Sequence, residues 1–379
     1  GAGKKYAGMS EMEGQEVVLD RVIFSDRQKN KHEIELKGKV KAVVPTPPEI
    51  PPQPTALAAT PLPAPAIAPA EEVSTGSKVL GSNDIAIWVE EHLRTGEPFS
   101  QMELFRQADR AFGGTQAQGT YSPKDATDAM ELGVNQFLDA LIQADPRTID
   151  VKYARENIAY LRKVTQILPT QTRRTAEMDE FQQFSTPPHE AYVAAWVANI
   201  IPADVVLEPS AGVGGLAVFA KNADATTVVN ELSPRRAALL KQMGFDRVFT
   251  ENAEQLNNVL PADVKPTVIL MNPPFSATAG RMEGQRKTSN AEAHIEQALK
   301  RLQPGGRLVA VVGQGMADNT PTFQQWWAKI KQEYNVRANI GIPGSEYAKY
   351  GTSFGNQILV IDKTGATPSN ATMAMSVPS

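Results

Sequence analysis

The sequence predicts an α/β protein whose main part is a doubly wound, mostly parallel sheet, preceded by a small all-helical module and a proline-rich linker. Three observations carry this prediction. From residue 185 to about residue 363, apolar runs alternate with helical segments. These runs are continuously apolar, which indicates strands buried on both faces of a parallel sheet. The first run ends in a glycine-rich turn that leads into a helix, as in the first unit of a nucleotide-binding sheet.

Composition excludes several classes of protein. The chain has 379 residues, enough for two or three domains, and a formal net charge of −4. It has no cysteine, which excludes disulfides and thiol nucleophiles, and its four histidines are scattered, so no metal site is expected. No run of about 18 apolar residues occurs, so we expect no membrane contact and a cytoplasmic, bacterial or phage-associated location. The opening GAGKKYAGMS suggests a tag remnant, a processed end or an internal fragment.

The N-terminal part is predicted to lack a core of its own. Residues 1–43 form a charged segment in which EVVLDRVIF is compatible with a strand, and residues 27–41 are mostly basic. That basic stretch is either a solvated hairpin or tail, or an arm that binds a nucleic-acid backbone. Residues 44–78 are rich in proline and alanine, which predicts a disordered, extended linker.

Residues 79–178 repeat an amphipathic helical pattern. Ser82 or Asn83 is the candidate N-cap of the first helix, and Pro123 falls in the first turn of a later one. We expect this helical module to pack against or position other parts of the chain. Residues 179–363 form the predicted catalytic domain, and the small, polar tail at 364–379 is predicted to be disordered.

The glycine-rich turn is the first part of a candidate site. In LEPSAGVGGLAVFA, the glycines at 212, 214 and 215 allow positive φ and close approach of a ligand. Glu231 ends the next strand-like run, about 20 residues on, where an acidic side chain holds a ribose diol in nucleotide-binding sheets. A solvated or capping carboxylate is the alternative for Glu231. Asn252 ends the third run and suits either an adenine edge or a helix N-cap.

The stretch VILMNPPFSAT ends a strand on a rigid tip, because proline lacks an N–H and has a fixed φ. Asn272 and Pro273 then lie at the same sheet edge as Glu208, Glu231 and Asn252. Ligands of doubly wound sheets bind outside this edge, near the switch point of the strand order.

These motifs resemble a known family. LEPSAGVGGL resembles the S-adenosylmethionine loop of class I methyltransferases, and NPPF at 272–275 is similar to the motif of amino-methylating enzymes, especially DNA adenine-N6 methyltransferases of the gamma motif order. The resemblance covers about residues 180–363 and implies a seven-stranded Rossmann-like sheet with S-adenosylmethionine as the cofactor. The implied cofactor-binding residues are Thr186, Pro187, Glu208, Pro209, Ser210, Ala211, Gly212, Gly214, Glu231, Asn252, Ala253 and Asn272.

The resemblance also implies catalytic roles for Asn272, Pro273 and Phe275. The Asn272 side-chain oxygen and the Pro273 carbonyl would accept the two N–H bonds of the target amine, and Phe275 would stack on a flipped or single-stranded base. A core aromatic is the alternative for Phe275. Further candidate substrate contacts are the basic residues Arg281, Arg286 and Lys287, for which an ordinary solvated loop is the alternative. The aromatic candidates are Tyr350 and Phe354, and Tyr347 is an equal candidate.

The function implied is methyl transfer to the N6 amine of adenine in DNA. EYAKYGTSFGNQILVIDK also looks like the methyltransferase-like part of phage and plasmid antirestriction proteins of the Dar and strawberry-notch type. Alternatives are RNA or protein-glutamine N-methylation, or a catalytically silent module that binds cofactor or DNA. Gamma enzymes usually carry a later recognition domain, so recognition falls to the helical module, to the rest of a longer polypeptide or to no part at all. Other phage- or plasmid-encoded proteins are possible partners.

Overall fold

In a computed structural model of the chain, the predicted apolar runs form strands of one sheet. The structure describes residues 16–25, 31–39, 70–170, 185–273, 290–318, 320–350, 355–371 and 374–376. The chain divides into two compact units, Gly1–Ala68 and Pro69–Ser379.

The first unit contains an antiparallel hairpin of β1 (Glu16–Ser25) and β2 (Lys31–Lys39). Its register pairs Glu16 with Lys39 and Ser25 with Lys31, with one irregularity between Val18 and Asp20. This backbone agrees with the predicted charged hairpin. The predicted linker lies outside the described residues from 44 to 69.

Four helices open the second unit: α1 (Ala70–Thr95), α2 (Gln101–Phe112), α3 (Pro123–Asp139) and α4 (Val151–Ile167). Ser122 caps α3, and Pro123 occupies its first turn as predicted. Helix α1 differs from the prediction, because it begins at Ala70, inside the expected linker, and Ser82 and Asn83 lie in its middle. Helix α2 packs closely against α1 at Gly81, where a Cβ would lie 2.6 Å from the Phe112 ring.

Eight strands form the sheet of the second unit, in the order β10-β8-β9-β7-β6-β3-β4-β5. Strand β9 is antiparallel to both of its neighbours, and the other pairs are parallel. The strands are β3 (Val205–Glu208), β4 (Thr226–Asn230), β5 (Arg247–Phe249), β6 (Val268–Met271), β7 (Arg307–Gly313), β8 (Asn335–Ile342), β9 (Asn356–Asp362) and β10 (Ala374–Ser376).

Helices cover both faces of this sheet, and successive strand residues enter different cores. Val206, Val268 and Leu270 pack in the core shared with the N-terminal helices, whereas Leu207 and Ile269 pack in the opposite core. The remaining helices are α5 (Pro188–Ala198), α6 (Ala217–Asn222), α7 (Pro234–Leu240), α8 (Leu256–Val259), α9 (Asn290–Arg301) and α10 (Gln324–Glu333).

The doubly wound, mostly parallel sheet is therefore confirmed. Strands β3 to β9 are the predicted seven, and β10 is an addition from the tail predicted to be disordered. Residues 374–376 pair in parallel with β8, whose outer edge offers unpaired backbone groups. The order reverses at β3, because β4 and β6 flank it on opposite sides. A ligand crevice is expected outside the carboxyl ends of β3 and β6. Because residues 69–379 form one compact unit, the division at residue 178 stays a prediction.

Candidate functional site

The glycine-rich loop leaves β3 and turns into α6 at the switch point. Gly212 has φ +58°, and a Cβ there would meet only the Arg236 guanidinium, 3.6 Å away. Gly214 has φ +90°, and a Cβ there would lie 2.6 Å from the Phe245 ring. The positive φ favours glycine at both positions, but the surroundings of the two residues differ. Gly214 is required by packing, whereas Gly212 borders open space that a ligand can use.

Glu208 ends β3 but points into the protein. Its Oε2 accepts the backbone N–H of Ala217 at 2.8 Å, and the residue is 3 % exposed. Burial raises the pKa of Glu208 well above its usual 4.5, although the N–H groups of Ala217 and Leu216 oppose this shift. Glu208 therefore holds the start of α6 against β3. Its predicted direct contact with cofactor stays a prediction that this burial disfavours.

Glu231, at the end of β4, is the organising carboxylate of the loop. Its Oε2 accepts the Gly212 N–H at 2.8 Å, and its Oε1 accepts from the Ser233 N–H and the Arg236 guanidinium, each at 2.8 Å. Glu231 and Arg236 are both buried. A carboxylate has about four acceptor positions, so about one remains for a further donor such as a hydroxyl.

Asn230 was not predicted, although it precedes Glu231 and is 1 % exposed. Its Nδ2 donates to the carbonyls of Pro209 and Glu251, at 2.9 Å each, and its Oδ1 accepts the Glu251 N–H at 2.8 Å. It thus ties the loop, in which Pro209, Ser210 and Ala211 lie, to the end of β5. A second polar residue at the end of an apolar run was the signal that could have found it.

Asn252 follows β5 and is exposed, and Ala253 beside it is buried. The Asn252 Oδ1 accepts the Glu254 N–H at 2.9 Å, which makes it the N-cap of a short turn of helix. The helix N-cap is one of the two alternatives that the sequence predicts for Asn252. An additional contact of its amide with a base stays a prediction.

Asn272 ends β6 beside the segment that leads into α5. Its Nδ2 donates to the Thr186 Oγ1 at 2.9 Å, which fixes the orientation of the amide and directs its oxygen away from Thr186. Pro273 is buried, and Pro187 is the N-cap residue of α5. The structure thus joins Thr186 to Asn272 across 86 residues of sequence. The predicted contacts Phe275, Arg281, Arg286, Lys287 and Phe354 lie outside the described residues.

Tyr350 is 5 % exposed and Tyr347 is fully buried, because residues 344–350 pack against α4 and α5. Burial raises the pKa of both phenols. This packing disfavours the predicted contact of Tyr350 with a base.

A buried polar cluster at the start of α5 was missed from the sequence. His189 Nε2 lies 2.8 Å from Glu346 Oε2, and Arg162 pairs with the same carboxylate at 3.0 Å. Burial raises the pKa of Glu190 to about 8, although the Tyr347 hydroxyl opposes this shift. Ligand atoms of His189, Glu190 and Glu346 lie within 4.8 Å of one another, a spacing that a metal ion also uses. No local spacing signals this cluster, because Glu346 is 157 residues from His189.

Helix α3 of the N-terminal part also reaches the loop. Asn135 Nδ2 donates to the Val213 carbonyl at 2.9 Å, in a buried contact between residues 78 apart. Next to it, Asp128 binds Lys124 Nζ at 2.6 Å and Arg235 Nη1 at 2.6 Å. Burial raises the pKa of Asp128, but the charges of Lys124 and Arg235 outweigh it and lower the pKa below 3.8. Helix α3 therefore supports the loop directly. The sequence predicts a positioning role for the helical module but does not indicate which residues perform it.

Comparisons with known proteins give only distant likenesses. No protein-family model matches the chain, and no curated protein sequence matches it. In structure it is similar to a candidate class I S-adenosylmethionine-dependent methyltransferase from Listeria monocytogenes, at 13 % identity over 80 % of this chain and 93 % of that chain, with a TM-score of 0.43. It is also similar to a candidate modification subunit of a type I restriction enzyme from Vibrio vulnificus YJ016, at 15 % identity over 66 % of this chain, with a TM-score of 0.42.

A third similar structure is the M protein of the type I restriction enzyme EcoKI, at 17 % identity over 62 % of this chain, with a TM-score of 0.38. The chain spans 62 % of the length of both the Vibrio and the EcoKI chains. Within the described part of the chain, no helix has the length and apolar character needed to span a bilayer.

Proposed function

We propose that the chain transfers a methyl group from S-adenosylmethionine to an exocyclic amine, with the N6 amine of adenine in DNA as the target. One observation carries the proposal. Asn272 and Pro273 directly follow β6 at the switch point, and the contact of Asn272 Nδ2 with Thr186 turns the amide oxygen away from Thr186. An acceptor of fixed direction beside a glycine-rich loop suits the recognition of an amine next to a bound cofactor.

The residues of the loop fit this cofactor. Gly212 borders open space at positive φ, and Glu231 keeps about one acceptor position for a ribose hydroxyl. Asn252, at the next strand end, is exposed, and its amide would bind an adenine edge placed along the same crevice. Thr186 lies at the Asn272 end, where the methionine part would be held. When bound, S-adenosylmethionine supplies an electrophilic methyl group on a sulfonium.

The chain's own task is to prepare the nucleophile. An adenine amine is weakly nucleophilic because its lone pair is delocalised into the ring. Hydrogen bonds from its two N–H groups to the Asn272 oxygen and the Pro273 carbonyl would turn that lone pair out of the ring plane and toward the methyl carbon. The rigid φ of proline presets the carbonyl direction. A neutral asparagine is a weak base, so positioning dominates, and the surplus proton of the methylated nitrogen leaves to solvent.

The decisive experiment compares Asn272→Ala with Asn258→Ala, a control that removes an exposed asparagine of α8. Each protein is incubated with cofactor carrying a labelled methyl group and unmodified DNA, and nucleosides are analysed by mass spectrometry. We expect label on adenine N6 with the control, and a loss of about 100-fold or more with Asn272→Ala; calorimetry at saturating cofactor separates this loss from any weaker cofactor binding. Full activity of Asn272→Ala would contradict the mechanism. Label on RNA or protein in place of DNA would contradict the substrate.

A catalytically silent module that binds cofactor or DNA during antirestriction is the second candidate. The contacts of Glu231 favour the form that binds DNA without cofactor, because Gly212, Ser233 and Arg236 already take three of the carboxylate's acceptor positions and leave about one for a cofactor hydroxyl. DNA co-expressed with the chain distinguishes the two. Resistance to restriction endonucleases together with N6-methyladenine supports the enzyme, and resistance without methylation supports the silent module.

A further inference from the structure

Helix α4 presents a basic and aromatic face to solvent. The opposite face is buried and consists of Ala154, Asn157, Leu161, Val164 and Thr165. The exposed face carries Lys152, Arg155 and Lys163, with Tyr153 and Tyr160 along one side of them. This face is ordered by the packing of the other, so its charges are held at fixed spacing.

The charge of this face is unbalanced. Helix α4 contains four basic residues and a single acidic one, Glu156, in a chain whose formal net charge is −4. A merely solvated helix face usually mixes both signs in pairs one turn apart. On this face the exposed Glu156 follows Lys152 by one turn. No acidic residue of α4, however, lies one turn from Arg155 or Lys163. Among the residues that the structure describes, Lys152, Arg155 and Lys163 have no ion-pair partner, whereas Arg162 pairs with Glu346.

The spacing of the face matches a nucleic-acid strand. Lys152 and Lys163 are separated by about 16 Å along the helix axis at 1.5 Å per residue. That length corresponds to about five nucleotides at 3.4 Å per stacked base. Tyr153 and Tyr160 are 40 % and 37 % exposed, and their seven-residue separation places them on the same side of the helix. Exposed aromatic rings beside basic residues are the combination with which proteins bind unpaired bases.

The C-terminal half of α4 is connected to the candidate site. Arg162 binds Glu346, which binds His189 in the first turn of α5, and Thr186 just before that helix binds Asn272. Lys349 donates to the carbonyls of Gln166 and Leu168, at 3.3 and 2.7 Å, and thereby fixes the end of α4 to the same segment. These contacts fix the end of α4 and the segments that lead to Asn272 in one packed structure.

We infer that the exposed face of α4 binds the backbone and bases of a single-stranded DNA segment that flanks the target adenine. Lys152, Arg155 and Lys163 contact phosphates, and Tyr153 and Tyr160 stack on bases. This inference rests on the proposed function for the identity of the target, but the surface and its ligand are measured without methyl transfer.

The test compares two triple variants of the full chain. Lys152→Gln, Arg155→Gln and Lys163→Gln together remove three charges from α4, and Lys241→Gln, Lys265→Gln and Lys300→Gln remove three exposed charges elsewhere. Fluorescence anisotropy measures their binding to a labelled single-stranded DNA oligonucleotide, a hairpin duplex and an RNA of the same sequence, over a series of salt concentrations. Calorimetry with S-adenosylmethionine runs in parallel.

We expect the α4 variant to bind single-stranded DNA about 100-fold more weakly at 0.1 M salt, with the slope of log K against log salt smaller by about 2. The control variant should keep the wild-type slope. The double variant Tyr153→Ala, Tyr160→Ala should weaken binding by about tenfold or more without changing the slope, because stacking releases no counterions.

Equal slopes in the α4 and control variants would overturn the inference and leave the methyl-transfer proposal standing. Tighter binding of the RNA or the duplex than of the single-stranded DNA would overturn the ligand named here. The inference would also be overturned if the α4 variant still binds S-adenosylmethionine, still methylates DNA and keeps the wild-type affinity for single-stranded DNA. If the wild-type chain does not bind S-adenosylmethionine in calorimetry, the proposed function is refuted, but the inference that the α4 face binds DNA is not.

Discussion

Replacing Glu231 by glutamine is expected to destabilise the protein through the arginine it leaves behind. The carboxylate is 2 % exposed, and it accepts from Arg236, Gly212 and Ser233 at 2.8 Å each. Glutamine keeps the shape and a single acceptor oxygen, but it directs an NH2 group at one of these donors. The Arg236 side chain, 8 % exposed, then loses the carboxylate that is hydrogen-bonded to it.

Removing a single partner of a buried ion pair costs about 3–5 kcal/mol, and we expect that loss for Glu231→Gln. The double variant Glu231→Gln, Arg236→Met removes both charges of this pair. It should therefore be less destabilised than the sum of its single variants, with a coupling of about 2 kcal/mol. Asp224→Asn is the control, since Asp224 pairs with Arg147 at 71 % exposure and asparagine tolerates its φ of +56°. It should cost less than about 1 kcal/mol.

Urea unfolding followed by tryptophan fluorescence measures the wild type, the single variants Glu231→Gln and Arg236→Met, their double variant and the control at neutral pH. Free energies of unfolding are compared with the slope m held common, after a check that m is unchanged. A loss below about 1 kcal/mol for Glu231→Gln, equal to that of the control, would refute the reasoning. Additivity of the two single variants would equally show that Glu231 and Arg236 do not act as a buried pair.

Two further predictions concern pH and loop geometry. The folded protein protonates Glu190 up to about pH 8 and the unfolded chain only up to about its usual 4.5, so the folded state binds more protons in that window and stability falls as pH rises. Glu190→Gln should reduce this fall, which reaches about 1.4 kcal/mol per pH unit. Urea unfolding at pH 6.5 and at pH 8 measures it, because His189, whose pKa is lowered from 6.5, contributes little between these pH values. An unchanged fall in the free energy of unfolding contradicts the prediction. Gly214→Ala should cost about 3 kcal/mol, because the new Cβ meets the Phe245 ring at 2.6 Å in a backbone with φ +90°. Gly305→Ala, at φ +79° with nothing within 4 Å, is its control at about 1 kcal/mol in thermal unfolding, and equal losses would show that packing does not matter.

The sheet could be predicted because its strands are locally encoded. Continuous apolar runs such as VILM at 268–271 report burial on both faces, and their polar ends report the edge where parallel strands stop. The helix caps around Ser122 and Pro123 were equally local. The predicted start of α1 was wrong, because the capping residues Ser82 and Asn83 indicate a helix start, whereas the helix runs through both of them from Ala70.

The places of the candidate site residues in the sheet could be predicted, but their hydrogen-bond partners could not. Glu208, Glu231, Asn252 and Asn272 do lie at strand ends, yet only the structure shows that Glu208 faces inward and that Glu231 is shared with Arg236. Tyr350 was predicted to contact the substrate, whereas the structure shows that it is buried. In each case the direction of a side chain depends on the element packed over it, which sequence spacing does not specify.

The sequence by itself determined the strands, the turn residues and the Asn272–Pro273 tip, because these depend on backbone preferences and on periodicity within a few residues. Only the tertiary structure decided which polar groups meet. Thr186 reaches Asn272 across 86 residues, and Asn135 reaches Val213 across 78. Such contacts arise when buried polar groups find partners in a crowded core, and burial makes an unpaired group costly. The sequence fixes where these groups lie along the chain, and packing selects their partners.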